Sequence, residues 1–588
     1  MSELSDISDP QRVGVRMQWG VKIPLRDGVH LNATLYLPND PTTPSPSIFT
    51  LTPYVGQTSH DQGVYFAAHG YPFLTVDVRG RGNSEGDFRP LIQEASDGYD
   101  VVEWLAQQPY CNGLVTMWGG SYTGYNQWVT AKECPPHLTT IVPTASAYLG
   151  VDFPIRSNIS SPYLMQWLTL VSGRTLQDRI FWNNERFWRG RYRQWLESGT
   201  PFKTLDTFLG NPSPIFQEWI AHPQQDAYWD RYNPTANDYS RICLPILTIT
   251  GIYDSDQPGA LRHYREHLKH SSAEIRARHY LVIGPWDHAG TRAPRAEFCG
   301  IKVGPASLLD LGKLHLEWYA WTMQGGAKPE FLQKNVAYYV MGADKWRYAD
   351  MLETITAEHR RFYLDSAGSA SRVFASGILG NEPGTGEADR YVYDPRDTRT
   401  AEVEAASTDP LSLRPTFPTD NVRDQTLVFA NEGKQLLYHS APFESDAEIS
   451  GFFKLTAWIA IDQPDTDFRA TVYEIGLDGS SILLTTDCIR ARYREGLREP
   501  KLIHTADPLR YDFECFTFVS RQIGKGSRLR LVIGPINSIY FEKNYNSGGI
   551  VSEETMNDAR SVTVRLFHDE SHPSALYVPL GQAELGGP

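Results

Sequence analysis

Nothing in this chain reads as a surface for phosphate. Its 55 lysine and arginine residues are outnumbered by 69 acidic ones, a formal charge of −14. The basic residues are nowhere clustered as nucleic acid or an anionic bilayer would require. No stretch approaches 18 uninterrupted apolar residues, so no transmembrane helix is expected. The opening Met1-Ser2-Glu3-Leu4-Ser5-Asp6 has neither the basic start nor the apolar core of a secretory signal, and the expected location is the cytoplasm. Cysteine is scarce. The 6 present, Cys111, Cys134, Cys243, Cys299, Cys488 and Cys515, lie far apart without a CxxC pair, which argues for buried reduced thiols over a disulfide frame or a zinc site. Internal repeats and low-complexity tracts are also missing. The expectation is therefore a protein without metal or cofactor, with no nucleic-acid or membrane partner, whose partner is a small-molecule substrate. A homo-oligomer is left open.

What is present is enough apolar residue, 41% of 588, to fill about three cores of ~100–200 residues each. The first part alternates short apolar strands with helical stretches, the pattern of a mostly parallel sheet covered on both faces. Strands are predicted at 47–51, 73–78, 114–118, 139–142, 246–250 and 280–283, helices at 95–108 and 260–270, and a hairpin over 25–37 around Asp27-Gly28. From about 145 to 240 the alternation stops. Helical stretches carrying Trp167, Trp182, Trp188, Trp195, Trp219 and Trp229 take over. This reads as a helical insertion whose tryptophans make a core, lying as a cap over the carboxyl ends of the strands, where ligands bind. After about Lys328 many short alternating strands with Gly, Pro and Asp turns predict an all-β sandwich. The expected build is an α/β catalytic domain of residues 1–144 and 241–327, a cap of 145–240 and a jelly-roll domain of 328–588.

The stretch Leu114-Val115-Thr116-Met117-Trp118-Gly119-Gly120-Ser121-Tyr122-Thr123-Gly124 is an apolar run that breaks into a glycine-flanked serine. A strand turning sharply into a helix holds such a serine in a strained backbone conformation with its Oγ exposed, and tolerates only small neighbours. The usual second glycine is displaced by one, to Gly124. A serine hydroxyl is a weak nucleophile at neutral pH. It needs a base, and a carboxylate to hold that base in the right tautomer. In hydrolases of this layout the order is serine, acid, histidine, each after a strand. The predicted strand 246–250 runs into Gly251-Ile252-Tyr253-Asp254, and 280–283 into Gly284-Pro285-Trp286-Asp287-His288. Asp254 and His288 are thus the candidate acid and base, with Asp256 as an alternative acid.

Here the chain resembles the cocaine esterase and Xaa-Pro dipeptidyl-peptidase superfamily, which includes α-amino acid ester hydrolases and glutaryl cephalosporin acylases. The resemblance rests on Arg26-Asp27-Gly28-Val29 with Tyr36-Leu37-Pro38, Pro53-Tyr54, Asp77-Val78-Arg79-Gly80-Arg81-Gly82 with Ser84-Glu85-Gly86, Trp118-Gly119-Gly120-Ser121-Tyr122, Tyr253-Asp254 and Gly284-Pro285-Trp286-Asp287-His288. In the sandwich it continues with Pro464-Asp465-Thr466-Asp467-Phe468 and Arg492-Tyr493-Arg494. It implies an α/β-hydrolase core, a helical cap and a C-terminal jelly roll. It also implies an oxyanion hole made by the Tyr54 hydroxyl and the backbone N–H of Tyr122. The superfamily's amino ester hydrolases hold an ammonium with three carboxylates, and here Asp152 and Asp256 fall near two of those positions while Gln257 replaces the third. The alternative is that Asp152 caps a turn and Asp256 the helix that follows it. Trp286 is a further substrate-binding candidate.

Other readings are weaker. Gly80-Arg81-Gly82-Asn83-Ser84-Glu85-Gly86 misses the dinucleotide fingerprint by one residue, and no helix opens at its last glycine. His263 and His267 stand four apart on a helix, but without a third zinc ligand in pattern a solvated helix face is expected. The favoured function is a serine carboxylic ester hydrolase. Amidase or peptidase action, of the dipeptidyl-peptidase or β-lactam acylase type, is the alternative; the superfamily's dipeptidyl peptidases carry an additional N-terminal domain that has no counterpart in this sequence. A non-catalytic lectin-like scaffold is disfavoured by a complete serine, histidine and aspartate set.

Overall fold

Strands whose residues are apolar on both faces belong in the middle of a covered sheet, and this chain has several. Every residue of Phe73–Asp77 and of Ile246–Tyr253 is buried. The computed structural model describes residues 14–39, 43–178, 184–368, 370–406 and 422–581. Ten strands form the first sheet: β1 (Val15–Pro24), β2 (His30–Pro38), β3 (Ser45–Thr52), β4 (Phe73–Asp77), β5 (Cys111–Gly120), β6 (Leu138–Thr144), β7 (Ile246–Tyr253), β8 (His279–Asp287), β9 (Val336–Val340) and β10 (Lys345–Ala349). Their spatial order is β1-β2-β4-β3-β5-β6-β7-β8-β9-β10. The run from β4 to β9 is parallel, with antiparallel strands at both edges.

Two expectations are corrected. The hairpin turns at Asp27-Gly28, but its first strand is β1, before Leu25, and not part of 25–37. Most of β1 is exposed at the sheet edge, so little apolar alternation marks it. The first sheet also continues past residue 327. β9, buried throughout, pairs in parallel with Leu281–Ile283 of β8, and β10 returns antiparallel to it. A lone apolar strand does not state which sheet it joins.

The parallel register decides where the chemistry falls. Gly120 at the end of β5 pairs with Thr144 of β6, Thr144 with Ile249 of β7, and Gly251 of β7 with Gly284 of β8. The loops that leave β5, β7 and β8 therefore emerge side by side at one edge. Helices Glu94–Ala106, Tyr122–Lys132 and Gln257–His270 cover the sheet.

Between β6 and β7 the chain forms helices Tyr163–Leu170, Glu185–Ser198, Pro214–Ile220, Ala227–Asp230 and Ala236–Arg241. Trp167, Trp188, Trp195, Trp219 and Trp229 are buried together with Tyr122 and Tyr125 of the hydrolase core and Ile539 and Tyr540 from much later in the chain. Trp182 lies outside the described residues. The remaining strands, from Thr356 onward, make a 13-stranded all-β unit with its own apolar core. A buried ion network docks it: Arg490 binds Asp467 at 2.8 Å and Glu542 at 2.9 Å, and donates to the carbonyl of Asn158 at 3.1 Å. Arg492 binds Asp465 at 2.8 Å. The Asp465, Asp467 and Arg492 of the sequence motif are thus structural. None of the six cysteines is in a disulfide, but only Cys111 and Cys488 are buried. Among the described residues no helix is long and apolar enough to cross a membrane.

Candidate active site

Ser121 sits between β5 and the helix Tyr122–Lys132 with φ 63° and ψ −125°, a conformation costly for any residue but glycine. Its surroundings explain the glycines. A Cβ at Gly119 would lie 2.1 Å from Thr123 Oγ1, one at Gly120 2.6 Å from Arg292 Nη1, and one at Gly124 2.4 Å from the Thr144 carbonyl. Gly124 is therefore the glycine that lets the helix pass β6, and Thr123 is accommodated because its hydroxyl turns back to donate to the Gly120 carbonyl at 2.9 Å.

His288, 5% exposed, contacts Asp254, which is 0% exposed, with Nδ1 2.7 Å from Oδ1. Asp254 also accepts from Thr250 Oγ1 at 2.8 Å and from the Asp256 backbone N–H at 3.0 Å. Burial pushes its carboxyl up to about 6, against those hydrogen bonds. An Nδ1–H donated to Asp254 leaves Nε2 as the basic nitrogen of the ring. Asp256 is 3.8 Å from the same Nδ1, too far for a hydrogen bond. Asp254 is the one that can orient the imidazole. Ser121 and His288 line one pocket of about 1130 Å³, with Tyr54, Asp152 and Asp256 also on its walls.

Asp256 precedes the helix Gln257–His270 but makes no side-chain cap. Its carboxylate accepts from Ser255 Oγ at 3.0 Å and lies 3.5 Å from Ser121 Oγ. Asp152 does what a turn cap does, accepting from Tyr148 N at 2.9 Å, and also receives Gly259 N from that helix at 2.6 Å. Withdrawal from water, then the neighbouring Asp256, pushes its carboxyl well above the usual range. Asp254, Asp256 and His288 offer three ligand atoms within 4.8 Å of one another. A cation there would have to displace the short Asp254–His288 hydrogen bond.

Tyr54 follows β3 and faces the pocket. Its oxygen accepts from Trp167 Nε1 of the cap at 3.2 Å, and a phenol that accepts a hydrogen bond becomes a better donor. Tyr122 begins the helix, so its N–H has no intrahelical partner. Its side chain is anchored away from the reaction: its hydroxyl donates to Glu94 Oε1 and accepts from Leu91 N at 2.9 Å. Glu94 is buried, and its carboxyl is pushed up to about 7.

Trp286 corrects an expectation. It is 0% exposed, donates from Nε1 to the Ser307 carbonyl at 2.9 Å, and does not line the pocket. Its ring packs against Gly284 and its Cβ against Gly290, shaping the loop that carries His288. His263 and His267 are a second correction. Neither is solvated. His263 contacts Tyr239 OH at 2.7 Å and the Ala147 carbonyl at 3.0 Å, and stacks on Trp128 at 4.9 Å. His267 contacts His279 Nδ1 and the Ile242 carbonyl, both at 3.0 Å. Burial lowers the two to about 3 and about 4, and with both nitrogens engaged these are neutral core histidines.

Sequence reasoning missed the part played by several residues in and around the pocket. Arg81, 0% exposed, donates from Nε to the Pro53 carbonyl at 2.7 Å and from Nη1 to the cap carbonyls of Val171, at 2.7 Å, and Gly173. It ties the Tyr54 loop to the cap. Arg469, Thr486, Cys488, Tyr540 and Phe541 reach the pocket from the all-β domain. No local pattern marks them, because the docking of the all-β domain against the cap and the hydrolase core brings them there.

Known proteins bear out this architecture. Residues 27–290 match the family of the X-Pro dipeptidyl-peptidase (S15 family), and 331–576 match the X-Pro dipeptidyl-peptidase C-terminal non-catalytic domain. A cocaine esterase of Rhodococcus sp. (strain MB1 Bresler) is 25% identical, over 95% of this chain and 98% of its own. Among solved structures, an α-amino acid ester hydrolase superposes with TM-score 0.82 at 20% identity, covering 96% of this chain and 97% of its own. An aminopeptidase from a marine sediment Thaumarchaeota archaeon superposes with TM-score 0.80 at 21% identity, covering 97% of each. The chain belongs to the cocaine esterase and X-Pro dipeptidyl-peptidase superfamily of α/β-hydrolases, and is a serine hydrolase acting on esters or peptides.

Proposed function

We propose that the chain hydrolyses carboxylic esters through an acyl-enzyme on Ser121, with His288 as general base and acid and Asp254 holding its tautomer. The observation that carries this is the 2.7 Å contact between His288 Nδ1 and Asp254, in a pocket that also presents Ser121 at a strained strand-to-helix turn. Ser121 Oγ attacks the ester carbonyl as its proton passes to His288 Nε2, and the imidazolium so formed is stabilised by the buried Asp254 carboxylate. The tetrahedral oxyanion is held by the Tyr54 hydroxyl and the Tyr122 N–H. His288 then protonates the leaving alcohol, and a water activated by the same nitrogen releases the acid. The esterase reading is preferred over the amidase reading because 95% of this chain aligns with a relative named an esterase.

A second reading is favoured by Asp256. Its carboxylate lies beside Ser121 and does not cap its helix, so it could hold the ammonium of an amino ester or amide. The test of both is a panel of p-nitrophenyl esters and aminoacyl amides with Ser121→Ala alongside. Ester hydrolysis should exceed amide hydrolysis, and the substitution should lower kcat by about 10⁴–10⁶ with folding unchanged. Retention of more than about a tenth of the activity would remove Ser121 from the mechanism.

A further inference from the structure

One charged group in the pocket has no task in the acylation chemistry. Arg469 lies on the strand Asp467–Ile475, directly across from Cys488 on Ser481–Arg490, and both line the pocket with Ser121 and His288. The charged neighbours on its strand are matched: Asp467 receives Arg490 and Asn544, and Glu474 receives Arg521. Arg469 is not. Its Nη1 is buried without a hydrogen-bond partner, and among the described residues no carboxylate comes within ion-pair distance of it. A buried guanidinium N–H left unmet costs stability, so its retention facing a cavity points to a ligand that meets it.

The cavity extends beyond it. A second space of about 930 Å³ shares Arg469, Thr486 and Tyr540 with the active-site pocket and is lined further on by Asn431, Thr471 and Tyr473. Arg469 stands where the two meet. Arg156, from the cap, lines the pocket too and donates to the Thr486 carbonyl at 3.4 Å, so two guanidiniums approach one strand position. The acids nearby are occupied. Glu404 in the second space is the acid that feels the Arg469 charge, but it is beyond ion-pair distance, accepts from Ile539 N at 2.7 Å, and has its carboxyl pushed up to about 7 by burial against those contacts. Asp424 turns onto Thr426, and Asp487 accepts from Cys488 N and Cys515 N.

We propose that Arg469, assisted by Arg156, binds a carboxylate of the substrate, so that preferred substrates carry a free acid remote from the cleaved carbonyl. This rests on the serine-hydrolase reading of the pocket for the word substrate; the anion site itself does not. A carboxylate suits a guanidinium because its two oxygens meet the planar N–H fork, and the apolar walls at Phe153, Leu164 and Phe541 keep that contact dry.

Calorimetric titration of the Ser121→Ala protein with monomethyl adipate and dimethyl adipate tests it, since the two differ only in whether one end is a free carboxylate or its methyl ester and neither is turned over. The monoanion should bind at least about tenfold more tightly. Arg469→Met in the same background should abolish that preference, and Arg469→Lys should restore part of it. Equal affinity of the two esters, which needs no further variant to observe, would overturn the proposal. So would a preference that survives Arg469→Met. Because the readout is binding, loss of the Ser121 mechanism would show in the hydrolysis panel and leave this result standing on its own.

Discussion

The catalytic edge of the α/β sheet and the wall laid against it by the all-β domain meet in one pocket, yet their residues arrive there by different routes. Ser121, Asp254 and His288 leave the ends of β5, β7 and β8, neighbouring parallel strands or strands one apart, and each is fixed by its own short loop. Arg469, Thr486 and Cys488 are placed by an antiparallel register between Asp467–Ile475 and Ser481–Arg490, and that pair is in turn seated on the cap by Arg490. A shift of one residue in that register would turn Arg469 away; no such shift touches the serine. The chemistry is thus built into local turns, and the shape and charge of the pocket into long-range docking.

Substitutions on the two sides should separate rate from recognition. The largest effect after loss of the nucleophile is expected for Asp254→Asn, about 10⁴ in kcat through the wrong imidazole tautomer. Asp256→Asn should cost far less, because its carboxylate is out of hydrogen-bond reach of Nδ1. Asp254 must be ionised to hold the imidazolium, so wild-type kcat/KM should fall as pH drops through about 6. Equal losses in the two variants would erase the distinction between them. Tyr54→Phe comes next, lowering kcat by about 10²–10³ with KM nearly unchanged. A change confined to KM would make Tyr54 part of the recognition wall instead. Glu94→Gln, remote from the reacting atoms, should alter stability only. With its carboxyl raised from 4.5 to about 7 in the fold, the folded state holds the proton more tightly. Wild-type stability should therefore fall as pH rises from about 4.5 to 7, by up to about 1.4 kcal/mol per pH unit, and chemical denaturation of Glu94→Gln should show that slope reduced.

The same contrast governs what could be read from the chain. The elbow was legible because two glycines before a serine serve a strand-to-helix turn and little else, and Asp254 and His288 because apolar runs end just before them. The Arg26-Asp27-Gly28 and Asp77-Val78-Arg79 motifs were visible, but their purpose was not: Arg79 binds Asp27 and Asp97 at 2.6 Å, and Arg26 binds Asp100, clamping the first turn to the loop after β4 and to the helix Glu94–Ala106. Trp286, next to the catalytic loop in sequence, points into the core. The helical spacing of His263 and His267 did not disclose that Trp128 and the cap junction cover that face. β9 joined the first sheet through a partner more than 50 residues away, carrying β10 with it, and Arg469 joined the pocket by the docking of another domain. Trp167 was expected to pack; its hydrogen bond to Tyr54 depends on how the cap closes over β3.

The most direct measurement is labelling by a fluorophosphonate at neutral pH followed by peptide mass mapping. The account predicts one stoichiometric adduct on Ser121, absent in Ser121→Ala and formed much more slowly in His288→Ala. An enzyme that hydrolyses esters while labelling elsewhere, or not at all, would contradict it.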